Sequence, residues 1–173
     1  MDDVPASAAI NEAVELAKKA GATISFDPNY RAMLWESEEA FCNRVSALLP
    51  LVDILKVSEE EAALLTGEED MDKALIALSG VPTVLITLGK NGALCCVRGE
   101  RYAVSGYKAE TVDTTGAGDI FFGTFLAQML ESGTAFKELS LSETVSYCDK
   151  ACRYAAKSTE IYGAIPSIPN FSL

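Results

Sequence analysis

Residues 112–119 read Val112-Asp113-Thr114-Thr115-Gly116-Ala117-Gly118-Asp119 and run straight into an apolar stretch with helical spacing. Two glycines so placed let the backbone bend closely and present N–H groups at a helix start. Unpaired amides and the positive end of the helix dipole then point the same way, an arrangement that cradles an anion. Asp119 falls in the first turn, beside that anion. A carboxylate next to a transferring phosphoryl group can take the proton of an attacking hydroxyl. The plainer alternative is a glycine turn in which Asp119 merely complements the helix dipole, and Gly-x-Gly-Asp alone does not separate the two.

Composition limits what else could act. The chain has no histidine, which excludes a Ser-His-Asp triad, a Cys-His pair and a His-Glu-x-x-His metal site. Proton transfer is left to carboxylate, Lys, Tyr or Cys. Five cysteines, an odd number, suit reduced thiols. Cys95 and Cys96 face opposite ways on an expected strand, and Cys148 and Cys152 share a helix face with nothing to complete a tetrahedral metal set. The net charge of -11 would repel a nucleic-acid backbone. No apolar run reaches the length of a membrane span and the first residues are acidic, so neither a transmembrane helix nor a secretory signal is expected and a cytoplasmic location is.

The elements that must position the glycine loop follow from periodicity and punctuation. With 173 residues, 49% hydrophobic and 23% charged, the chain suits one compact domain. Residues 7–20 place Ile10, Val14 and Ala17 on one helical stripe, with Gly21 as the stop. A strand over 22–26 ends at the turn former Asp27-Pro28-Asn29. Ser37 caps a helix running to 49, and 54–57 is a strand. Ser58 and Glu61 have capping-box spacing for a short helix that stops at Thr66-Gly67. A helix over 70–79 precedes a strong strand at 83–88; Asn91-Gly92 then signals a hairpin into strands at 93–97 and 101–104. Helices over 116–131 and 142–157 follow, and 163–169 is an irregular tail. This alternation argues for an α/β sheet, parallel at first, with an antiparallel edge.

Asp113 to Asp119, followed by Phe122-Gly123, resembles the C-terminal signature of the ribokinase/PfkB family of carbohydrate kinases. The resemblance implies that Asp119 is the catalytic base, that the amides of Gly116, Ala117 and Gly118 form an anion hole, and that Asp113 and Thr115 help hold a monovalent cation, potassium. Thr87-Leu88-Gly89-Lys90-Asn91-Gly92 is similar to the family's nucleotide-contacting Thr-x-Gly-x-x-Gly. It implies that Thr87, Gly89 and Gly92 contact ATP, with Thr114 and Gly163 as further cofactor positions. Asp27-Pro28-Asn29-Tyr30-Arg31, with Leu34-Trp35, resembles the fructokinase and 2-keto-3-deoxygluconate kinase branches and implies that Asn29 and Arg31 meet the substrate. As bare residues they equally suit a surface turn with a solvated cation. Ser58-Glu59-Glu60-Glu61 sits where many members have Asn-x-x-Glu, whose Glu orders magnesium-bound water; Ser58 departs from that pattern and Glu61 keeps it.

The expected fold is thus α/β: a ribokinase-like three-layer sandwich, its C-terminal part only, with the lid domain absent. The resemblance covers residues 1–173 but only about the second half of a family member, so self-association or a missing N-terminal half is the expected protein partner. The implied function is ATP- and magnesium-dependent phosphoryl transfer to a sugar or sugar-acid hydroxyl, fructokinase-like or 2-keto-3-deoxygluconate kinase-like. The alternative is a catalytically incomplete nucleotide-binding or subunit-interaction module. A dinucleotide-binding oxidoreductase fits poorly, because its glycine loop belongs in an early βα turn.

Overall fold

Ser37, Ser58 and Asp70 each stand just before a helix and begin it by the same means: the side-chain oxygen accepts a backbone N–H that the helix cannot satisfy. The computed structural model describes residues 4–168; Pro169, the end of the expected tail, lies outside them. The chain divides into two compact units, residues 1–86 and 87–173. Its five strands form one mixed sheet in the order β1-β2-β3-β4-β5.

The first unit runs α1 (Val4–Lys19), β1 (Ser25–Phe26), α2 (Glu38–Leu48), β2 (Ile54–Ser58), α3 (Glu59–Thr66), α4 (Met71–Ala77) and β3 (Thr83–Thr87), whose last residue begins the second unit. Strand β1 pairs parallel with β2, Ser25 opposite Ile54. It spans two residues instead of the expected five, because Asp53 takes over the preceding segment. That carboxylate accepts the Ile24 N–H at 2.8 Å and holds Lys18 of α1 at 2.8 Å. Ile54, Leu55 and Val57 are fully buried, the signature of a strand covered on both faces. Phe41 anchors α2, with Tyr30 and Trp35 packed on it at ring distances of 4.6 and 5.2 Å. Helix α1 packs less than its pattern suggests: Ile10 is 53% exposed.

The second unit holds β4 (Gly92–Val97), β5 (Glu100–Ser105), α5 (Ala117–Ser132) and α6 (Leu141–Ser158). Strands β4 and β5 are antiparallel from Gly92↔Ser105 to Val97↔Glu100. Their two-residue turn is Arg98-Gly99, with φ of 49° and 90°, the positive values a primed hairpin turn needs. The turn expected at Asn91-Gly92 is there, as a 3-10 turn over Gly89–Asn91 leading into β4, closed by the Leu88 N–H donating to the Gly92 carbonyl at 2.8 Å. Helices α5 and α6 are joined by Gln128, which is buried and donates from Nε2 to the Tyr147 carbonyl at 3.0 Å, and by the edge-on Phe125–Tyr147 pair. Helix α6 starts one residue earlier than expected, since Ser140 and Glu143 form a full capping box.

Gly92 is the least replaceable residue of this unit. A Cβ there would lie 2.0 Å from the Val104 carbonyl oxygen, at a φ of +105°. Gly92→Ala should therefore cost about 2–4 kcal/mol in urea unfolding, whereas Gly99→Ala, at a positive φ but in open space, should cost about 1 kcal/mol. Equal losses would remove the steric account.

Candidate functional site

The glycine loop meets helix α5 as a braced turn. Asp113 Oδ1 accepts the backbone N–H and hydroxyl of Thr115, at 2.9 and 2.7 Å, and Oδ2 accepts the Gly163 N–H at 2.8 Å. Those donors hold the Asp113 carboxyl below its ordinary value, the Thr115 hydroxyl first among them. The Thr159 carbonyl takes the N–H groups of Val112 and Asp113 at 2.7 and 3.0 Å, fixing the loop from its other side. Gly116 then turns into α5 at a φ of +81°, and a Cβ on it would meet Ala164 at 2.8 Å. Only glycine fits.

This geometry decides which amides face outward. Of the three expected to meet an anion, Ala117 donates to the Thr114 carbonyl at 3.1 Å. The N–H groups of Gly116, Gly118 and Asp119 have no acceptor among the described residues. Asp119, in the first turn of α5, is exposed.

Two cavities flank the loop, both built wholly from the second unit. The larger, about 1230 Å³, is lined by Thr114, Ala117 and Gly118 on the loop side and by Thr87, Gly89 and Gly92 opposite. Four of the five expected cofactor positions thus gather there; the fifth, Gly163, is tied to Asp113 instead. Its wall continues through Tyr107 and Lys108 to Cys152 and Ala155 of α6. The smaller, about 410 Å³, is lined by Gly116 and Asp119 with Ile120, Ile165 and Ile168. The loop's residues therefore divide between two spaces: Thr114, Ala117 and Gly118 line the larger, Gly116 and Asp119 the smaller.

The other expected residues belong to the first unit. Asn29 is exposed at a φ of 49°, and Arg31 is exposed with Nη1 donating to the Tyr30 carbonyl at 2.8 Å. Glu61 is buried: Oε1 accepts the Tyr30 N–H at 2.6 Å and Oε2 the Ser58 N–H at 2.8 Å, completing the capping box. Beside these the structure adds a residue that the motifs did not name. Lys56, 6% exposed in β2, pairs with Asp27 at 3.0 Å. A lysine inside the apolar run Ile54–Val57 was the readable sign of it, since buried ammonium groups are rare without a partner. Tyr107 and Lys108 were missed because residues 106–111 carry no periodicity.

Among the described residues no cluster of three or more acidic or thiol side chains could chelate a metal. Each Glu61 oxygen, however, keeps a lone pair beyond its backbone bond, which suits ordering water around a hydrated divalent ion. Asp113 has fewer to offer: Oδ1 has two donors and Oδ2 one, so a monovalent cation could take the remaining position on Oδ2.

The profile of the pfkB family carbohydrate kinases matches residues 2–170. Fructokinase-1 of Oryza sativa subsp. japonica is 37% identical over 95% of this chain and 51% of its own. Fructokinase-2 of Solanum lycopersicum is 36% identical over 97% of this chain and 52% of its own. The chain spans about half the length of the curated relatives it matches. In structure it is similar to the fructokinase of Vibrio cholerae O395 bound to fructose, ADP and calcium, with a TM-score of 0.85 and 30% identity over 94% of this chain and 52% of that one. It is also similar to the ATP-bound fructokinase of Xylella fastidiosa, with a TM-score of 0.84 and 26% identity over 94% and 53%.

The brace makes a pH-dependent prediction. A depressed carboxyl stabilises the loop above the ordinary carboxylate range and loses that effect as pH falls through its own lowered value. In an NMR titration the Gly163 amide should shift with a midpoint below the usual aspartate value, and Asp113→Asn should abolish the step. A midpoint at or above the usual value would mean that the brace does not form.

Proposed function

The chain belongs to the pfkB family of carbohydrate kinases, and from that premise we propose that it carries the nucleotide and catalytic residues for ATP-dependent phosphoryl transfer to a sugar hydroxyl. One observation carries the reading. A single glycine loop presents open amides at a helix start, with Thr114, Ala117 and Gly118 lining the larger cavity and Asp119 the smaller.

The nucleotide lies in the larger cavity, along Thr87, Gly89 and Gly92, with its terminal phosphate toward Thr114 and Gly118. The acceptor approaches from the side of Asp119, whose carboxylate takes the proton as the hydroxyl oxygen attacks the γ-phosphorus and the bond from that phosphorus to the β,γ-bridging oxygen breaks, releasing ADP. The N–H groups of Gly116, Gly118 and Asp119, fixed before the reaction, stabilise the charge that develops on the transferring group. Magnesium supplies further neutralisation of the phosphates when bound, and Glu61 is the residue that would order its water. Asp113 and Thr115 are the candidates for a potassium site. Asn29 and Arg31 are assigned to the acceptor. Fructose is favoured by the fructokinase relatives, and 2-keto-3-deoxygluconate by the likeness of residues 27–35 to that branch.

A second reading is a nucleotide-holding module without turnover. It is favoured by the larger cavity being lined entirely by residues between Thr87 and Glu160. A coupled ADP-release assay with ATP, magnesium and a panel of fructose, 2-keto-3-deoxygluconate and ribose separates the two, since only the kinase releases ADP in response to sugar. Under the kinase reading, Asp119→Asn should lower turnover about 10²–10⁴-fold while ATP affinity holds. Undiminished turnover would reject Asp119 as the base.

A further inference from the structure

Glu61 has two backbone partners, and the capping box accounts for one of them. Its Oε2 accepts the Ser58 N–H at 2.8 Å and so closes the start of α3. Its Oε1 reaches out of that box, thirty-one residues back along the chain, to accept the Tyr30 N–H at 2.6 Å. The residue is 6% exposed, so water does little to replace either donor. The N–H taken belongs to the peptide between Asn29 and Tyr30. Holding that peptide fixes the backbone rotation on both its sides, and with it the course of the chain from Asn29 to Arg31. Asn29 needs such a restraint, because its φ of 49° lies in the left-handed region that a side chain adopts at a cost. The rest of the segment is tied to the same unit. Asp27 pairs with Lys56 of β2 at 3.0 Å, and the Tyr30 ring packs on Phe41 of α2 at 4.6 Å.

We propose that Glu61 is the positioning residue of the acceptor loop: by holding the Tyr30 N–H it sets the backbone from which Asn29 and Arg31 meet the sugar. The proposal rests on the assignment of Asn29 and Arg31 to the acceptor and goes beyond it. Acceptor affinity then depends on a buried carboxylate that acts through the loop and not on the sugar itself. This task is separate from ordering magnesium-bound water, and it is present without metal. Ser58 supplies the contrast. Its hydroxyl accepts the Glu61 N–H at 3.2 Å, a bond internal to the cap that leaves the Tyr30 contact in place. Were Glu61 only a cap, losing it and losing the Ser58 hydroxyl would have the same kind of effect.

Fructose and 2-keto-3-deoxygluconate are the probes, each titrated calorimetrically into the 173-residue chain in EDTA without nucleotide, so that no metal role of Glu61 contributes. Glu61→Gln keeps the size of the side chain but offers one oxygen in place of two. It should weaken whichever sugar the parent binds about 5–50-fold. Ser58→Ala should lower the thermal midpoint and leave that affinity within about twofold. Amide hydrogen exchange in the parent chain is a second readout that needs no variant, and it decides alone if Glu61→Gln does not fold. Binding and loop order are linked, so saturating sugar should slow exchange of the Tyr30 N–H at least about tenfold. Equal sugar affinities in Glu61→Gln and Ser58→Ala, or Tyr30 exchange indifferent to bound sugar, overturn the proposal and leave the acceptor assignment standing. If the parent chain binds neither sugar, the acceptor assignment itself falls, and this proposal with it.

Discussion

A helix start cannot satisfy its own first amides, and everything proposed for this chain depends on that deficit being kept open at α5. Ser37, Ser58, Asp70 and Ser140 close the same deficit at four other helices with a side-chain oxygen. Gly116 has no side chain to do so, and the N-cap of α5 has no capping hydrogen bond. A serine cap is worth about 1 kcal/mol, so the uncapped start is a local stability sacrifice of that order. Such an exception among otherwise well-capped helices is what a binding site looks like in a folded chain.

Keeping amides open requires the loop to be rigid for other reasons, and the structure supplies them non-locally. Asp113 reaches fifty residues along the chain to Gly163, and the Thr159 carbonyl reaches back to Val112 and Asp113. Residues 159–163 are in turn carried by the end of α6, which Gln128 and Phe125 fasten to α5. The loop, the helix it opens and the segment that braces it are thus closed into one circuit. Preorganisation of this kind fixes the donors before charge develops, so no reorganisation is needed at the moment of transfer.

What could be read from the chain without coordinates follows from the same division between local and distant causes. Residues 113–119 were legible because glycine, alanine and aspartate at that spacing restrict the backbone themselves. The caps at Ser37 and Ser58 were legible because a cap and its amide lie three residues apart. The turn at Arg98-Gly99 was not, since arginine is a poor advertisement for a positive φ. It is held there partly by Nη1 donating to the Leu139 carbonyl, forty-one residues away. Strand β1 was overestimated because Asp53, twenty-nine residues from Ile24, competes for the backbone before it. Ala117 was counted as an anion donor on the family resemblance, and only the fold shows its N–H turned to Thr114. Tyr107 and Asp149 are forty-two residues apart in unrelated elements, and no local pattern joins them.

A net charge of -11 runs against a site proposed for polyphosphate. Range resolves the conflict. Surface carboxylates act through water and salt and fade over about 10 Å at 0.1 M ionic strength, whereas an N–H in contact with a phosphate oxygen is barely screened. The proposed site uses contact donors: the open amides of Gly116, Gly118 and Asp119, with Lys90 and Lys108 along the larger cavity. Affinity can then be local while the long-range field is unfavourable, which slows the approach of an anion more than it weakens the bound state. Phosphates chelated by a divalent cation arrive with much of their charge cancelled and feel less of that field. An acidic chain with amide-based phosphate contacts is therefore suited to the metal-complexed nucleotide over the free polyanion, a preference that needs no cationic patch.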